Sequence, residues 1–413
     1  MSEEKIKEEV KEEVKEEVKE EVKEEVKEEV KEEVKEDLNK ETLMNLPELA
    51  LEEYEIPEEE LENIQDESNG SIKFAFIGSG QGGGRIAQSF YDLGYHKTIA
   101  LNTTPHDLEY LKLPKTQKLL MDIGEKGAGK DMTIGNAATV QYRQEIFDLM
   151  KKIFAKVDHI MISIGAGGGT GSGSAECLIT IAKRYMKQLG YEDADKRVGV
   201  LMSLPTDGEA SSPQVAKNAW TVLDNMAALA HKNLISPVVI IDNDKIKHQY
   251  RGLTAKEFWP KINNTIAGLF HIFNVISNQD SPYTSFDPVD YKSILSAGGF
   301  MVLGLTSVKD FTEEQDISKA LKNNLSKTLL AEGFDLTTAK IAGSIAVGGS
   351  KIMSEEKGLM DKLNYGFDCL SNMCNKATIH RGVYEDNRET LRLYTIIGGL
   401  RVPLNRLTKL KNI

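Results

Sequence analysis

Ile160-Met161-Ile162-Ser163-Ile164-Gly165-Ala166-Gly167-Gly168-Gly169-Thr170-Gly171-Ser172-Gly173 is the stretch from which the rest of this chain can be read. Its first five residues predict a buried strand, and Ala175 to Leu189 beyond it predicts a helix. Six of the nine residues from Gly165 to Gly173 are glycine, so backbone N–H groups can approach a ligand that side chains would keep away. The loop ends at a helix N-terminus, where exposed N–H groups and the helix dipole favour an anion. Thr170 and Ser172 add hydroxyls for phosphate oxygens. A flexible linker is the plainer alternative, but a linker has no reason to lie between a buried strand and a helix.

Length and composition set the frame. At 413 residues the chain has room for two or three domains and a sizeable core. Three cysteines, Cys177, Cys369 and Cys374, show no metal spacing and fit a reducing compartment. There is no apolar run of membrane-spanning length and no apolar N-terminal signal segment, so a cytoplasmic protein is expected.

The net charge of −13 is unevenly spread. Residues 1–70 carry 29 acidic and 10 basic side chains, leaving 35 acidic and 41 basic in the rest. A mildly basic body thus bears a strongly acidic arm. The arm holds seven Lys-Glu-Glu-Val copies over 7–34. On a helix a four-residue period advances about 400° per repeat, so the valines wind around and form no lasting seam. A disordered or partly helical, solvated arm is the expectation, with a short docking helix as an option over 41–66.

The body follows an alternating order. Ile72–Ile77 predicts the first strand, then Gly78-Ser79-Gly80-Gln81-Gly82-Gly83-Gly84, then a helix over Arg85–Leu93. Further strands are expected near 97–101, 158–164, 198–204 and 238–241, with helical patterns near 136–155. Strands alternating with helices predict an α/β fold with a mostly parallel sheet. Ligands of such sheets sit at the carboxyl edge of the strands. A long helix is expected over 263–280, and after it an α+β region to 402 with strands near 300–305, 342–347, 377–383 and 392–397. Residues 403–413 read as a short basic tail. The expected divisions are 1–70, 71–262, 263–280, 281–402 and 403–413.

The first glycine loop contains Gly78-x-Gly80-x-x-Gly83 between strand and helix, the dinucleotide-binding fingerprint in its required context. A dehydrogenase would also carry an acid at the end of the second strand for the ribose, where this chain has Leu101-Asn102-Thr103-Thr104. The phosphate loop ending Gly-Lys-Ser/Thr is absent too, since Gly129-Lys130 is followed by Asp131.

Three loops, at 78–85, 127–131 and 165–173, point at phosphates. That combination resembles the tubulin/FtsZ superfamily of self-assembling GTPases, and Gly167-Gly168-Gly169-Thr170-Gly171-Ser172-Gly173 matches its signature loop in full. The resemblance covers roughly 72–402. It implies a tubulin/FtsZ-like parallel-sheet GTPase domain, a long central helix and a smaller α+β domain, with GTP or GDP and Mg²⁺ as cofactors. On the phosphate side it implies Gly80, Gln81, Gly82, Gly83, Asn102, Gly127, Ala128, Gly129 and Gly167 to Gly171. On the sugar and base side it implies Glu209, Asn243, Asn263 and Asn264, with Trp259 placed to stack on the ring. Read alone, Asn263 is also an ordinary cap at the start of the long helix.

Ser285-Phe286-Asp287-Pro288-Val289-Asp290 carries an acid pair three apart, which by itself reads as a helix cap and dipole partner. The resemblance implies more: Asp287 and Asp290 would enter the neighbouring subunit's pocket and polarise the attacking water. Ser285 stands where the family usually has Asn, and Pro213 where a basic ribose contact is usual. Gly80-Gln81 and the short C-terminus look more like the plasmid- and phage-associated TubZ group, or CetZ-like proteins, than cell-division FtsZ. The implied partner is a second copy in a head-to-tail homopolymer, with an adaptor at the arm or the basic tail. DNA segregation or positioning is the first expected role and division or cell shape the second. A non-polymerising GTP-binding scaffold and an NAD-linked enzyme are the other readings. No nucleic-acid-binding motif and no protein metal site are expected.

Overall fold

The computed structural model describes residues 64–412 apart from 125–126, 251 and 388. The Lys-Glu-Glu-Val arm and the proposed docking helix at 41–66 therefore lie almost wholly outside the described residues.

The central strand follows from its composition. β1 (Phe74–Ser79) is buried at every position and carries no polar side chain before Ser79, as expected where parallel neighbours and covering helices shield both faces. The helix after it, α1 (Gly80–Tyr91), starts earlier than expected. The glycines of the first loop are its opening turn, because β1 passes almost directly into the helix. β2 (Thr98–Asn102), α2 (Pro105–Glu109) and β3 (Lys118–Leu120) follow. The pattern at 136–155 is two helices, α3 (Met132–Gln141) and α4 (Arg143–Phe154). β4 (His159–Gly165) leads to α5 (Thr170–Gln188), and β5 (Val198–Leu204) to the short α6 (Asp207–Ala210) and to α7 (Pro213–His231). β6 (Val238–Asp242) and α8 (Asn243–Gln249) complete this part.

The long helix, α9, spans Ala255–Ile276 rather than opening at Asn263. Pro260 reads as a stop in sequence, yet it lies on the solvent face, where water can satisfy the carbonyl it leaves unbonded. The start is set by Thr254, whose N–H and hydroxyl both donate to Glu257 Oε2, at 3.2 and 2.7 Å. Ile262, Ile266, Phe270 and Phe273 then form the buried stripe. Asn274, fully buried, zips this helix to the chain entering β1: its Oδ1 accepts from Ile72 N at 2.9 Å and its Nδ2 donates to Ile72 O at 3.0 Å.

Next come α10 (Pro288–Leu295), β7 (Phe300–Val308), α11 (Asp316–Thr328), β8 (Ile341–Gly349), α12 (Ser350–Glu355), α13 (Leu359–Met373), β9 (Thr378–Asp386) and β10 (Leu391–Leu400). These strands extend the first sheet. Ten strands run in the order β3-β2-β1-β4-β5-β6-β7-β10-β8-β9. Pairing is parallel through β7, antiparallel on both sides of β10, and parallel again between β8 and the edge strand β9. The basic tail is a helix, α14 (Leu404–Lys411), with Leu407 and Leu410 buried. Among the described residues no helix is long and apolar enough to cross a membrane.

Candidate functional site

The carboxyl ends of β1, β2, β4, β5 and β6 open on one cavity of about 400 Å³. Two helices aim their first turns into it. The residues preceding α1 and α5, Ser79 and Gly169, make no side-chain cap, whereas α3, α6 and α8 nearby are capped by Asp131, Thr206 and Asp242. Uncapped N-termini leave N–H groups for an anion. Gly80 at the head of α1 has φ +70, and a Cβ there would stand 3.0 Å from Gly171 N, so the two glycine loops meet as bare backbone.

The predicted residues divide clearly. Gly80, Gln81, Gly82, Asn102, Ala128 and Gly129 line the cavity, as do Gly167 to Gly171. Glu209, Asn243, Trp259 and Asn263 form its other wall. Gly83 does not line it. A Cβ there would meet Ser163 O at 2.0 Å, so this glycine serves the packing of α1 on β4. Gly127 lies behind the lining against Thr104. Asn264 is exposed on α9 and outside the lining, while Asn263 is buried within it. Neither is a cap, because both lie well inside α9. Asp287 and Asp290 do not line the cavity of their own chain.

The buried hydroxyl of Thr103, just past β2, ties the 127–131 and 165–173 loops together. Thr103 Oγ1 and Thr170 Oγ1 are 2.7 Å apart, and Thr103 Oγ1 also accepts from Ala128 N at 3.1 Å. Ser172 is not available to a phosphate: it donates to Ala166 O at 2.6 Å and braces its own loop. Asn218 Nδ2 donates to Lys130 O at 2.8 Å and approaches Gly167 O at 3.3 Å.

Sequence reasoning missed Asp107. It lies five residues past Asn102 on α2, in the cavity lining. Gln81 Nε2 donates to its Oδ1 at 2.9 Å and Asn102 Nδ2 to its Oδ2 at 3.2 Å. The usable signal was Pro105 at the start of a helix, which folds the next acid back over the strand end. Arg85 and Lys130 add positive charge to the lining. Glu209 is partly committed, since its Oε2 accepts from Thr206 N at 2.8 Å and Thr206 Oγ1 at 3.0 Å.

The tail reaches the back of this site. Arg406, almost fully buried, donates from Nη2 to Pro205 O at 2.9 Å and to Asp242 Oδ1 at 3.2 Å. Its Nε lies 3.1 Å from Asp242 Oδ2 without the alignment of a hydrogen bond. Burial pushes the Asp242 carboxyl up, against the pull of Arg406. Lys409 Nζ, 2.5 Å from Asp207 Oδ2, holds that carboxyl below its ordinary value.

The acid pair sits at the start of α10. Asp287 Oδ1 accepts from Val289 N and Asp290 N, each at 2.8 Å, and Asp290 Oδ2 accepts from Asp287 N at 3.1 Å. The cap reading of these residues is therefore correct as far as it goes.

Comparison with known proteins accords with this geometry. Residues 73–251 match the model of the Tubulin/FtsZ family GTPase domain, and 273–411 that of the C-terminal domain of TubZ-like proteins. The chain is 24% identical to the tubulin-like protein TubZ of Bacillus cereus over 388 residues, 84% of this chain and 85% of that one. It is 28% identical to the tubulin-like protein CetZ of Thermococcus kodakarensis over 344 residues, 80% and 82% of the two chains. Its fold is similar to TubZ of Bacillus thuringiensis serovar israelensis, crystallised as a protofilament in its GTPγS form. The TM-score there is 0.70 at 19% identity, covering 85% of this chain and 92% of that one. With matching family models over most of its length and a pocket of the corresponding design, this chain belongs to the tubulin/FtsZ family of GTPases.

Proposed function

We propose that this protein assembles head to tail into filaments, each subunit's Asp287 and Asp290 completing the GTP pocket of the next. One observation carries this reading. The only acids lining the pocket, among the described residues, are Asp107, held by two amides, and Glu209, held by Thr206. An acid pair stands elsewhere on the surface, Asp287 exposed and Asp290 about one-fifth exposed. The pocket thus holds donors for phosphate and lacks a free carboxylate to orient water, which phosphoryl transfer needs in position. A heterologous contact of this kind does not close and builds a fibre.

Asn263 and Asn243, amides able to bond a guanine edge, and Trp259, a ring able to stack on the base, all line the pocket. No group of three or more His, Cys, Asp or Glu among the described residues could hold a metal. Mg²⁺ takes one or two carboxylates plus substrate phosphates, and Asp107, each of whose oxygens keeps a lone pair beside its amide bond, is the lining carboxylate that would hold it. Bound there, the ion supplies neutralisation of developing charge.

Similarity to TubZ supports DNA segregation or positioning as the cellular role. A role in cell division, as in the more distant relative named cell division protein FtsZ, is the second reading. Sedimentation with GTP and Mg²⁺, together with GTP turnover measured against protein concentration, tests the assembly reading. Sedimentable polymer and turnover per subunit that rises with concentration are expected. Turnover independent of concentration with no polymer would overturn it.

A further inference from the structure

The segment that presents Asp287 and Asp290 is fastened to one strand, the sheet edge β9. Val383 N donates to Thr284 O at 2.8 Å, and Ser281 Oγ donates to Val383 O. The buried Phe286 is held through its backbone, its N–H donating to Tyr384 Oη at 2.8 Å. Tyr283 Oη donates to Glu385 Oε2 at 3.0 Å. Four positions of the segment, Ser281, Tyr283, Thr284 and Phe286, are therefore set by three consecutive residues of β9, Val383 to Glu385. The same strand also reaches the acid pair itself: His380 Nδ1 lies 2.6 Å from Asp290 Oδ1, with both side chains about four-fifths buried.

We propose that His380 is a positioning residue for hydrolysis, fixing the carboxylate of Asp290 as it is presented to the neighbouring subunit's nucleotide. The inference rests on the head-to-tail reading and deepens it. Asp290 has two oxygens, and each has one fixed partner. Oδ2 belongs to the helix cap through Asp287 N, and Oδ1 belongs to His380. A carboxylate held at one oxygen still swings about its last torsion, whereas a close contact at the second oxygen restrains that swing. Nδ1 can donate to this oxygen in the imidazolium and in the neutral tautomer that carries its proton on Nδ1. Partial burial shields this short contact from water and strengthens it. His380 does not line the pocket of its own chain, so its contribution falls on turnover and leaves nucleotide binding alone.

The test uses the full chain with His380→Ala and His380→Asn, the latter placing an amide nitrogen where Nδ1 stands. GTP affinity, sedimentable polymer and phosphate release at saturating GTP are measured together. His380→Ala should lower kcat roughly tenfold, with KM and polymer yield within about twofold of the parent. His380→Asn should recover at least half of the loss. Parental turnover in His380→Ala overturns the inference, and so does a loss that follows polymer yield and is not rescued by Asn. Asp287→Ala, run in parallel, separates the two levels. If it turns over normally, the head-to-tail acid reading itself fails. If it is inactive while His380→Ala is normal, only the role of His380 fails.

Discussion

The nucleotide pocket and the Asp287–Asp290 face, which the head-to-tail proposal joins in one reaction, are built from different material. The pocket is mostly main chain, carried on the buried centre of the sheet, its loops pinned by buried bonds such as Thr103–Thr170. The acid pair is side chain on the first turn of α10, steadied from the sheet edge by β9. Backbone amides placed by a buried scaffold are already organised when charge develops. Carboxylates keep rotamer freedom that other side chains must remove. The binding half should therefore respond to changes in volume and packing, and the hydrolytic half to the loss of single polar atoms.

The largest expected effect tests the packed half. Gly83→Ala would put a methyl 2.0 Å from Ser163 O, forcing α1 off β4 and costing about 4 kcal/mol or more. Guanidinium unfolding measures this, and a variant as stable as the parent would break the claim that backbone contact shapes the pocket. Arg406→Ala comes next. It leaves the buried Asp242 without its partner and should cost about 3 kcal/mol. Adding Asp242→Asn should recover part of that, and a single-variant cost under 1 kcal/mol would show that α14 does not brace the site.

Asp287→Ala addresses the other half. Phosphate release should fall roughly a hundredfold, about 2.7 kcal/mol of barrier, with the GTP dissociation constant unchanged. An equal fall in affinity would mean that the two halves are not separable. His159, at the start of β4, is buried with its pKa down at about 3. Its unfolded form takes a proton near pH 6.5, so the stability tied to its neutral state is full above that pH and is lost as pH falls toward 3. Melting should weaken by up to about 1.4 kcal/mol per pH unit on this limb. A His159→Gln variant whose pH dependence matches the parent would reject the assignment. Smallest is Trp259→Ala, expected to weaken GDP and GTP binding alike by about fivefold, near 1 kcal/mol. A change in turnover without one in binding would move Trp259 to the hydrolytic half.

Legibility in the sequence follows the same division. Contiguous features were readable: the apolar strands, both glycine loops and the Asp287-x-x-Asp290 cap. Asn263 was placed correctly in the pocket wall but at the wrong point of its helix, because the Thr254–Glu257 box was overlooked and Pro260 resembles a boundary. Asn264 and Gly83 share motifs with lining residues, yet helix rotation turns the first outward and strand contact takes the second. Ser172 looks like a phosphate ligand until its loop closes and uses the hydroxyl for itself.

The order of strands, helices and glycine loops determined by itself an α/β body with bare loops at the strand ends, because local composition dictates buried parallel strands, and Gly167 to Gly173 carried the resemblance to the tubulin/FtsZ family. Only the tertiary structure decided that Asp107 meets Gln81 and Asn102, that Arg406 reaches Pro205 and Asp242, and that His380 reaches Asp290. Arg406 and Asp242 are 164 positions apart in the chain, and His380 and Asp290 are 90 apart. No local pattern encodes such pairings, since they exist only once the sheet has set its strand order and brought distant side chains within hydrogen-bonding range.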